Sequence, residues 1–373
     1  MQIRLIESEA EFRALEPSWN ALATACAARP YQEFGWAAAW METFGAAGGY
    51  RPRVVTLWSG PELRALMAVA FRRYKGVRML EWMGARVTDY CDILVDPRIN
   101  RRRAAELLWS ALKRRGHFDI LRLGQVRADA AANEIFHGVR AWIETVEDSC
   151  SLPLTWRSGE DWLVHLAKRE RGHVRRHLRR MASAGFRFHV WQSPEPYEPL
   201  VEAVIEQKVT WLRARKLDNY LLDPEGRAFV RALAAALARR GALHLSAART
   251  NDRIGACHLG FVCHGTFYGY ALAYDLEWSQ YGLGTALREC LLMWACDQGL
   301  QRFDMARGTQ DYKMHYNAAP AWLCTRVVGR GLVGNAALSV YRLSKAYSRK
   351  ASGAPRAIED KPQVATPPEA RAV

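Results

Sequence analysis

Two glycines follow an acidic and aromatic segment at a position that the sequence predicts to be a junction between a strand and a helix. The segment runs from Tyr274 through Asp275 and Glu277 to Gly282 and Gly284. Glycines at such a junction let the N-terminal amides of the helix approach an anion, and the helix dipole favours negative charge there. The pattern fits a site for a pyrophosphate or a polarised carbonyl. It also fits a tight turn in which the glycines serve only the backbone.

A second polar segment begins at Phe303 and continues through Arg307 and Gly308 to Tyr312 and Lys313. It leaves a predicted strand at its carboxyl end, which is where open α/β sheets bind ligands. A lysine beside a tyrosine and an aspartate can hold a carboxylate or phosphate, or can move a proton. The alternative is a surface loop with solvated charges.

Positive charge is concentrated in one segment between these halves of the chain. The formal net charge is +15, and residues 168–180 alone contribute +6. Arg169, Arg176 and Arg180 could share one helix face and bind phosphate oxygens in a bidentate manner. The segment could instead bind RNA, or could simply be a solvated helix. Because residues 168–180 contain no aromatic side chain, sequence-specific RNA recognition is disfavoured.

The composition predicts a cytoplasmic protein without a bound metal. The 373 residues contain no apolar run long enough for a signal peptide or a membrane span. The eight cysteines are scattered and form no C-x-x-C pair, which predicts reduced thiols. The pairs Cys257-His258 and Cys263-His264 lack the spacing of a structural zinc site. No serine or cysteine lies in a nucleophile-elbow pattern.

The chain repeats itself at long range. Residues 62–71 resemble residues 252–261, and residues 118–124 resemble residues 303–308, at offsets of 190 and 185. Each copy reads as helices, an antiparallel hairpin, another strand, then a helix and a returning strand. The sequence therefore predicts mixed sheets flanked by helices, in the α/β (α+β) class, within two duplicated domains.

The predicted domains cover residues 1–155 and 156–330. The remaining residues, 331–373, are predicted to form one basic amphipathic helix, Leu338 to Lys350, followed by a disordered Pro/Ala-rich tail.

The two polar segments together resemble a known family. Tyr-Asp-x-Glu-(x)3-Tyr-x-x-Gly, followed about twenty residues later by Arg-Phe-Asp-(x)2-Arg-Gly-(x)3-Tyr-Lys, is similar to the BioF2-like, CelD-type acyltransferases. These belong to the GNAT superfamily and are relatives of the FemABX peptidyltransferases. The resemblance implies tandem GNAT-like domains, with a degenerate first domain and the active site in the second. The loop departs from the usual GNAT pattern, because Ser279 stands where Gln or Arg is common.

The resemblance also implies roles for individual residues. The candidate catalytic residues are Asp275, Tyr281, Tyr312 and Lys313. The candidate donor-binding residues are Gly282, Leu283, Gly284, Thr285, Arg307 and Gly308. The candidate acceptor-binding residues are Arg176, Arg180, Tyr274 and Glu277. Asp275 or Glu277 is expected to deprotonate the attacking amine.

The resulting prediction is a GNAT-type N-acyltransferase that moves an acyl group from acyl-CoA or a similar thioester to an amine or hydroxyl acceptor. Acyl-CoA is a co-substrate, and no tightly bound cofactor, metal or DNA is expected. The family association suggests polysaccharide or envelope biosynthesis. Two alternatives remain: a FemABX-like transferase that uses aminoacyl-tRNA, although tRNA is disfavoured, and a non-catalytic partner of an exopolysaccharide or envelope assembly complex.

Overall fold

One continuous sheet of parallel and antiparallel strands runs through both halves of the chain in this computed structural model. The structure describes residues 1–308, 313 and 319–352. The strands are β1 (Gln2–Ile6), β2 (Arg51–Ser59), β3 (Glu62–Tyr74), β4 (Val77–Trp82), β5 (Leu94–Val95), β6 (Ile120–Arg127), β7 (Trp142–Pro153), β8 (Arg187–Val190), β9 (Leu243–Arg249), β10 (Ile254–Cys263), β11 (Thr266–Tyr274), β12 (Arg302–Arg307) and β13 (Ala319–Gly329). Their order across the sheet is β1-β2-β3-β4-β6-β13-β7-β12-β11-β10-β9-β8, and β5 pairs with β3. The predicted fold class, a mixed α/β fold built from duplicated units, is confirmed.

Helices cover both faces of this sheet. They are α1 (Glu9–Ala14), α2 (Glu16–Ala25), α3 (Phe34–Trp40), α4 (Arg101–Arg115), α5 (Gly159–His165), α6 (Lys168–Ser183), α7 (Glu198–Ala214), α8 (Pro224–Arg239), α9 (Leu283–Asp297) and α10 (Gly331–Ser352). Alternate residues of β10 face different cores: Leu259 packs in the core that contains α7 and α8, and Ala256 packs in the core that contains α9. No helix of the described residues is long and apolar enough to span a membrane.

The two halves repeat the same supersecondary unit. An antiparallel hairpin, β2–β3 or β9–β10, leads to β4 or β11, and a helix then connects to a strand that pairs in parallel, β6 or β12. A parallel neighbour requires such a crossover, so each half ends in a βαβ connection. The repeat predicted from the sequence therefore reflects a repeated fold.

The halves are joined by strands and by a shared core. β7 lies between β12 of the second half and β13, and β13 in turn pairs with β6 of the first half. On the helical side, the Trp36 ring of α3 contacts the rings of Phe229, Phe261 and Tyr270 from the second half. Relative motion of the halves would break both arrangements. The boundary at residue 155 stays a prediction, and it falls just after β7.

Two helical segments of the structure are interrupted. Near the N-terminus the chain is divided at Leu15 into α1 and α2, with Pro17 in the first turn of α2. Proline has no N–H to bond to the preceding turn, so it begins a helix more readily than it continues one. The basic residues 168–180 all lie in α6, and the separate helix α5 ends at His165 just before it.

Candidate active site

A cavity of about 750 Å³ lies where two parallel strands separate. β11 and β12 pair only from Thr266 to Tyr268, opposite Arg302 to Asp304. Beyond this point β11 continues to Tyr274 and β12 to Arg307, without pairing to each other. The residues between them form the walls of the cavity.

The equivalent position in the first half is closed. β4 and β6 also pair over three residues, but Cys91 then forms a bridge with Val126 and its N–H donates to the Gln125 carbonyl at 2.9 Å. The helix that follows, α4, is capped by Asn100, whose side chain accepts the Arg103 N–H at 2.8 Å. In the first half, residues around Cys91 thus occupy the space beside β6, and the Asn100 side chain occupies the N-terminus of α4.

One wall of the cavity is the N-terminus of α9. Gly282 precedes this helix with φ of +65°, a left-handed conformation that favours glycine, and no side chain caps the helix. Gly284 packs closely: a Cβ atom there would lie 3.1 Å from Tyr274 Cδ1. Gly282, Leu283, Gly284 and Thr285 all line the cavity. The amides of Leu283 and Gly284 precede the first hydrogen bond of α9, in which the Thr285 N–H donates to the Gly282 carbonyl at 3.0 Å, and amides in this position suit an anion.

Lys313 and Arg307 also line the cavity. Lys313 Nζ donates to the Arg307 carbonyl oxygen at 2.5 Å and to the Ala306 carbonyl oxygen at 3.3 Å. The side chain is buried, and this burial lowers the pKa of the lysine. Ala306 adopts φ of +60°, which turns the chain as β12 ends. The glycine bend and the charged segment thus face the same cavity, in agreement with the sequence prediction.

Arg307 is held by carboxylates. Its Nε donates to Asp89 Oδ1 at 2.8 Å, and its Nη1 lies 3.4 Å from Glu147 Oε2. These partners keep the pKa of Arg307 above its usual range despite burial. Arg307 lines the cavity, but its guanidinium is already engaged, so an anion would compete with Asp89.

Several predicted residues lie away from the cavity wall. The Asp275 carboxylate caps a 3-10 turn by accepting the Glu277 N–H at 3.0 Å, and Glu277 itself is exposed beside Arg253. Tyr281 stacks on Trp278. Gly308 adopts φ of +94° and donates its N–H to the Asp148 carbonyl, which gives it a backbone role.

Arg176 and Arg180 lie on the exposed side of α6, and Tyr312 is outside the described residues. α6 packs on α9 and on the turn before it. The two arginines therefore flank the cavity helix without lining the cavity.

The structure adds residues from α7 to the cavity. Lys208 Nζ donates to the Leu272 carbonyl at 3.1 Å, and burial lowers its pKa. Trp211 Nε1 donates to the hydroxyl of Tyr274 at 3.0 Å and so holds the Tyr274 ring in place. Of the four candidate acceptor-binding residues, Tyr274 lines the cavity and the other three do not. Lys208 and Trp211 are three residues apart on a helix and therefore share a face. This spacing is common in helices, so it indicates a binding site only weakly.

The first half also contributes to this cavity. Asp89 and Val87 lie in the loop after β4 and line the cavity. The hydroxyl of Tyr220 donates to that of Tyr270, which donates to the Val87 carbonyl, each over 2.9 Å. Among the described lining residues, Asp89 is the one carboxylate. No local pattern in the sequence indicates this contribution.

The floor of the cavity includes a buried histidine. His258 is 4% exposed, and its Nδ1 has no hydrogen-bond partner among the described atoms. Burial holds its pKa well below the usual range, so the ring is neutral. Phe303, Met305 and Leu291 complete an apolar end of the cavity next to it. No group of His, Cys, Asp and Glu within the described part of the chain has the arrangement of a metal site.

Comparison with known proteins assigns a class to this arrangement. Residues 168–314 match the family model described as an acetyltransferase (GNAT) domain. This match covers the cavity helix, both diverging strands and the basic helix. The second half is therefore similar to a GNAT acetyltransferase domain, and the first half repeats the fold of that region.

Solved structures show a likeness of fold over most of the chain. The chain is similar to a crystal structure of FemX with 10% identity and a TM-score of 0.57, covering 87% of this chain and 97% of that one. It is similar to L-PGS from Bacillus licheniformis with 15% identity and a TM-score of 0.50, covering 78% and 88%. A tandem GNAT protein from the clavulanic acid biosynthesis pathway aligns with 13% identity and a TM-score of 0.49, covering 88% and 99%. No curated protein matches the chain.

Proposed function

We propose that this protein transfers an acyl group from a thioester, most directly acyl-CoA, to an amine or hydroxyl acceptor. One observation carries the proposal: the uncapped N-terminus of α9 and the buried Lys313 line the same cavity, which opens between diverging strands. The first feature suits a pyrophosphate, and the second suits a carbonyl that gains negative charge. The finer assignment to the BioF2-like, CelD-type group, and to polysaccharide or envelope biosynthesis, rests on the sequence motifs.

The donor would bind with its pyrophosphate on the amides after Gly282. The absence of a side chain at Gly282 and Gly284 lets phosphate oxygens approach the backbone. The pantetheine arm would then run between β11 and β12, and the acyl group would reach the floor near His258, Phe303 and Met305. Arg176 and Arg180 on α6 would attract the phosphates from outside the cavity.

The chemistry we propose is direct attack without a covalent enzyme intermediate. The acceptor nitrogen or oxygen bonds to the thioester carbon, the carbon–sulfur bond breaks, and the acceptor proton passes to a base while the thiolate leaves. Lys313 stabilises the oxyanion through its positive charge in a buried site. We assign the base to Asp89 rather than to Asp275, because Asp89 lines the cavity whereas Asp275 caps a turn.

A melting-temperature screen against CoA thioesters tests this proposal. A ligand at a hundred times its Kd adds about 2.7 kcal/mol to the free energy of unfolding, which is a readily measured shift. Gly284→Val, which places a branched side chain against Tyr274, should abolish the shift. Gly172→Val is the matched control, because Gly172 lies on α6 and a Cβ atom there would have no neighbouring atom within 4 Å. If no CoA thioester stabilises the wild-type protein, acyl-CoA is not the donor.

The alternative donor, an aminoacyl-tRNA, is favoured by one observation, the exposed arginines of α6 beside the cavity helix. It predicts a mobility shift with tRNA that weakens steeply as salt increases. Arg176→Glu/Arg180→Glu should then reduce tRNA binding much more than CoA binding. A non-catalytic partner protein would show neither ligand-induced stabilisation nor turnover.

A further inference from the structure

The helix α10 exposes a stripe of large apolar side chains. Of the ten large apolar residues exposed in the described part of the chain, five lie on this helix, and their exposed fractions range from 59% to 92%. They are Leu332, Val333, Val340, Leu343 and Tyr347. Because exposed apolar side chains on a folded protein are usually scattered, this concentration indicates a binding surface.

These residues share one side of the helix. Val333, Val340 and Tyr347 repeat every seven residues, and Leu332 and Leu343 lie beside them at helical spacing. The small residue Ala336 occupies the same side, so no charged side chain interrupts the stripe between 332 and 347.

The opposite side of α10 is fixed to the protein. Tyr341 donates its hydroxyl hydrogen to Glu144 Oε1 at 2.5 Å, and Lys345 Nζ lies 3.7 Å from the same oxygen. The Arg342 guanidinium lies over the Trp142 ring at 5.6 Å. Gly334 packs so closely on Asp119 that a Cβ atom would lie 2.1 Å from its carbonyl oxygen. The apolar stripe therefore points away from the body of the protein in a fixed orientation.

The charge of α10 distinguishes between two possible binding partners for this stripe, a second copy of the chain and a lipid surface. Residues 331–352 contain four Lys or Arg and no Asp or Glu. A second copy of the chain would bring two such helices together, and their like charges would repel. A negatively charged lipid surface instead accepts apolar side chains between its headgroups and attracts the basic ones.

We propose that α10 docks this protein on an anionic membrane surface, lying in the plane of the interface without spanning the bilayer. The apolar stripe from Leu332 to Tyr347 enters the headgroup region, and the net positive charge of the helix attracts the anionic lipid headgroups at a distance, within the Debye length. This inference is independent of the proposed acyl transfer, since it uses no residue of the cavity.

Vesicle flotation tests the proposal with the full chain. Wild-type protein should float with phosphatidylglycerol-containing vesicles, bind vesicles of pure phosphatidylcholine at least about tenfold less, and dissociate as salt increases. Val340→Glu/Leu343→Glu should bind anionic vesicles at least about tenfold more weakly than wild type. Both side chains are exposed, so the variant should unfold at the same temperature as wild type.

The matched control is Val164→Glu/Leu217→Glu, which adds the same charge at two other exposed apolar positions. It should bind vesicles as the wild type does, apart from the small effect of the added charge. The proposal is overturned if wild type stays with the unbound fraction, if Val340→Glu/Leu343→Glu floats as wild type does, or if both glutamate pairs weaken binding equally. It is also overturned if light scattering shows a dimer that Val340→Glu/Leu343→Glu converts to a monomer while vesicles bind neither protein.

Discussion

The substitution Thr285→Glu would add a negative charge at the N-terminus of α9. We expect opposite effects of this charge on the stability of the helix and on the affinity for the donor pyrophosphate. Thr285 lies in the first turn of α9 and lines the cavity, and its Oγ1 accepts a hydrogen bond from Arg288 Nη2 at 3.4 Å. A carboxylate in the first turn of a helix stabilises it by about 0.3–1 kcal/mol through the helix dipole. Thr285→Glu should therefore leave the melting temperature of the free protein unchanged or slightly higher.

The same carboxylate should repel the donor pyrophosphate. At a separation of about 5 Å and an effective dielectric constant of about 20, one pair of unit negative charges repels by about 3 kcal/mol. Screening at the open mouth of the cavity reduces this value, and a net loss of about 2–3 kcal/mol remains. The Kd for CoA should then rise by about 30–150-fold.

Calorimetric titration with CoA, at low and at high salt, measures this effect. Thr285→Gln is the control, because it has the size of glutamate without the charge. The loss should be smaller for Thr285→Gln, and the difference between the two variants should shrink at high salt. Equal affinity of Thr285→Glu and Thr285→Gln would show that no phosphate binds at the N-terminus of α9, and the donor orientation proposed above would be wrong.

Three further predictions concern Lys313 in the cavity, the buried Glu289 of α9 and the contact between the two halves. Lys313→Met should lower kcat by about 10²–10³-fold with little change in the Kd for CoA, since the ammonium acts on the developing oxyanion, and a kcat within about threefold of wild type would exclude this role. The carboxylate Oε1 of Glu289 lies 2.8 Å from His177 Nδ1, and burial raises the pKa of Glu289 to about 8. Because of this raised pKa, the folded state binds more protons than the unfolded state between about pH 4.5 and 8. Stability should therefore fall as pH rises through this window, by up to about 5 kcal/mol, and denaturant titrations of Glu289→Gln should lose most of that slope. Tyr90→Phe should cost about 1–3 kcal/mol in urea unfolding, because the tyrosine hydroxyl donates to the buried Asp304 Oδ1 at 2.6 Å, and a cost near zero would show that this contact contributes nothing.

The amino-acid sequence was sufficient to predict the features that depend on local patterns of residues. The repeat, the strand–helix junction at Gly282 and the fold class all follow from periodicity and glycine positions, and the structure confirms each of them. These features depend on backbone preferences over a few residues, which the local sequence contains. For the same reason the sequence located the N-terminus of α9, whose role as an anion site stays a prediction.

The tertiary structure alone decided which side chains meet in the cavity. Asp89 reaches Arg307 across 218 residues of chain, which turns a predicted phosphate ligand into half of an ion pair. Asp275, adjacent to the glycine bend in sequence, instead uses its carboxylate to accept a backbone amide of its own turn. Lys208 enters from a helix whose sequence resembles any other amphipathic helix. Such contacts arise from how distant elements pack, and packing depends on the whole chain rather than on any one segment.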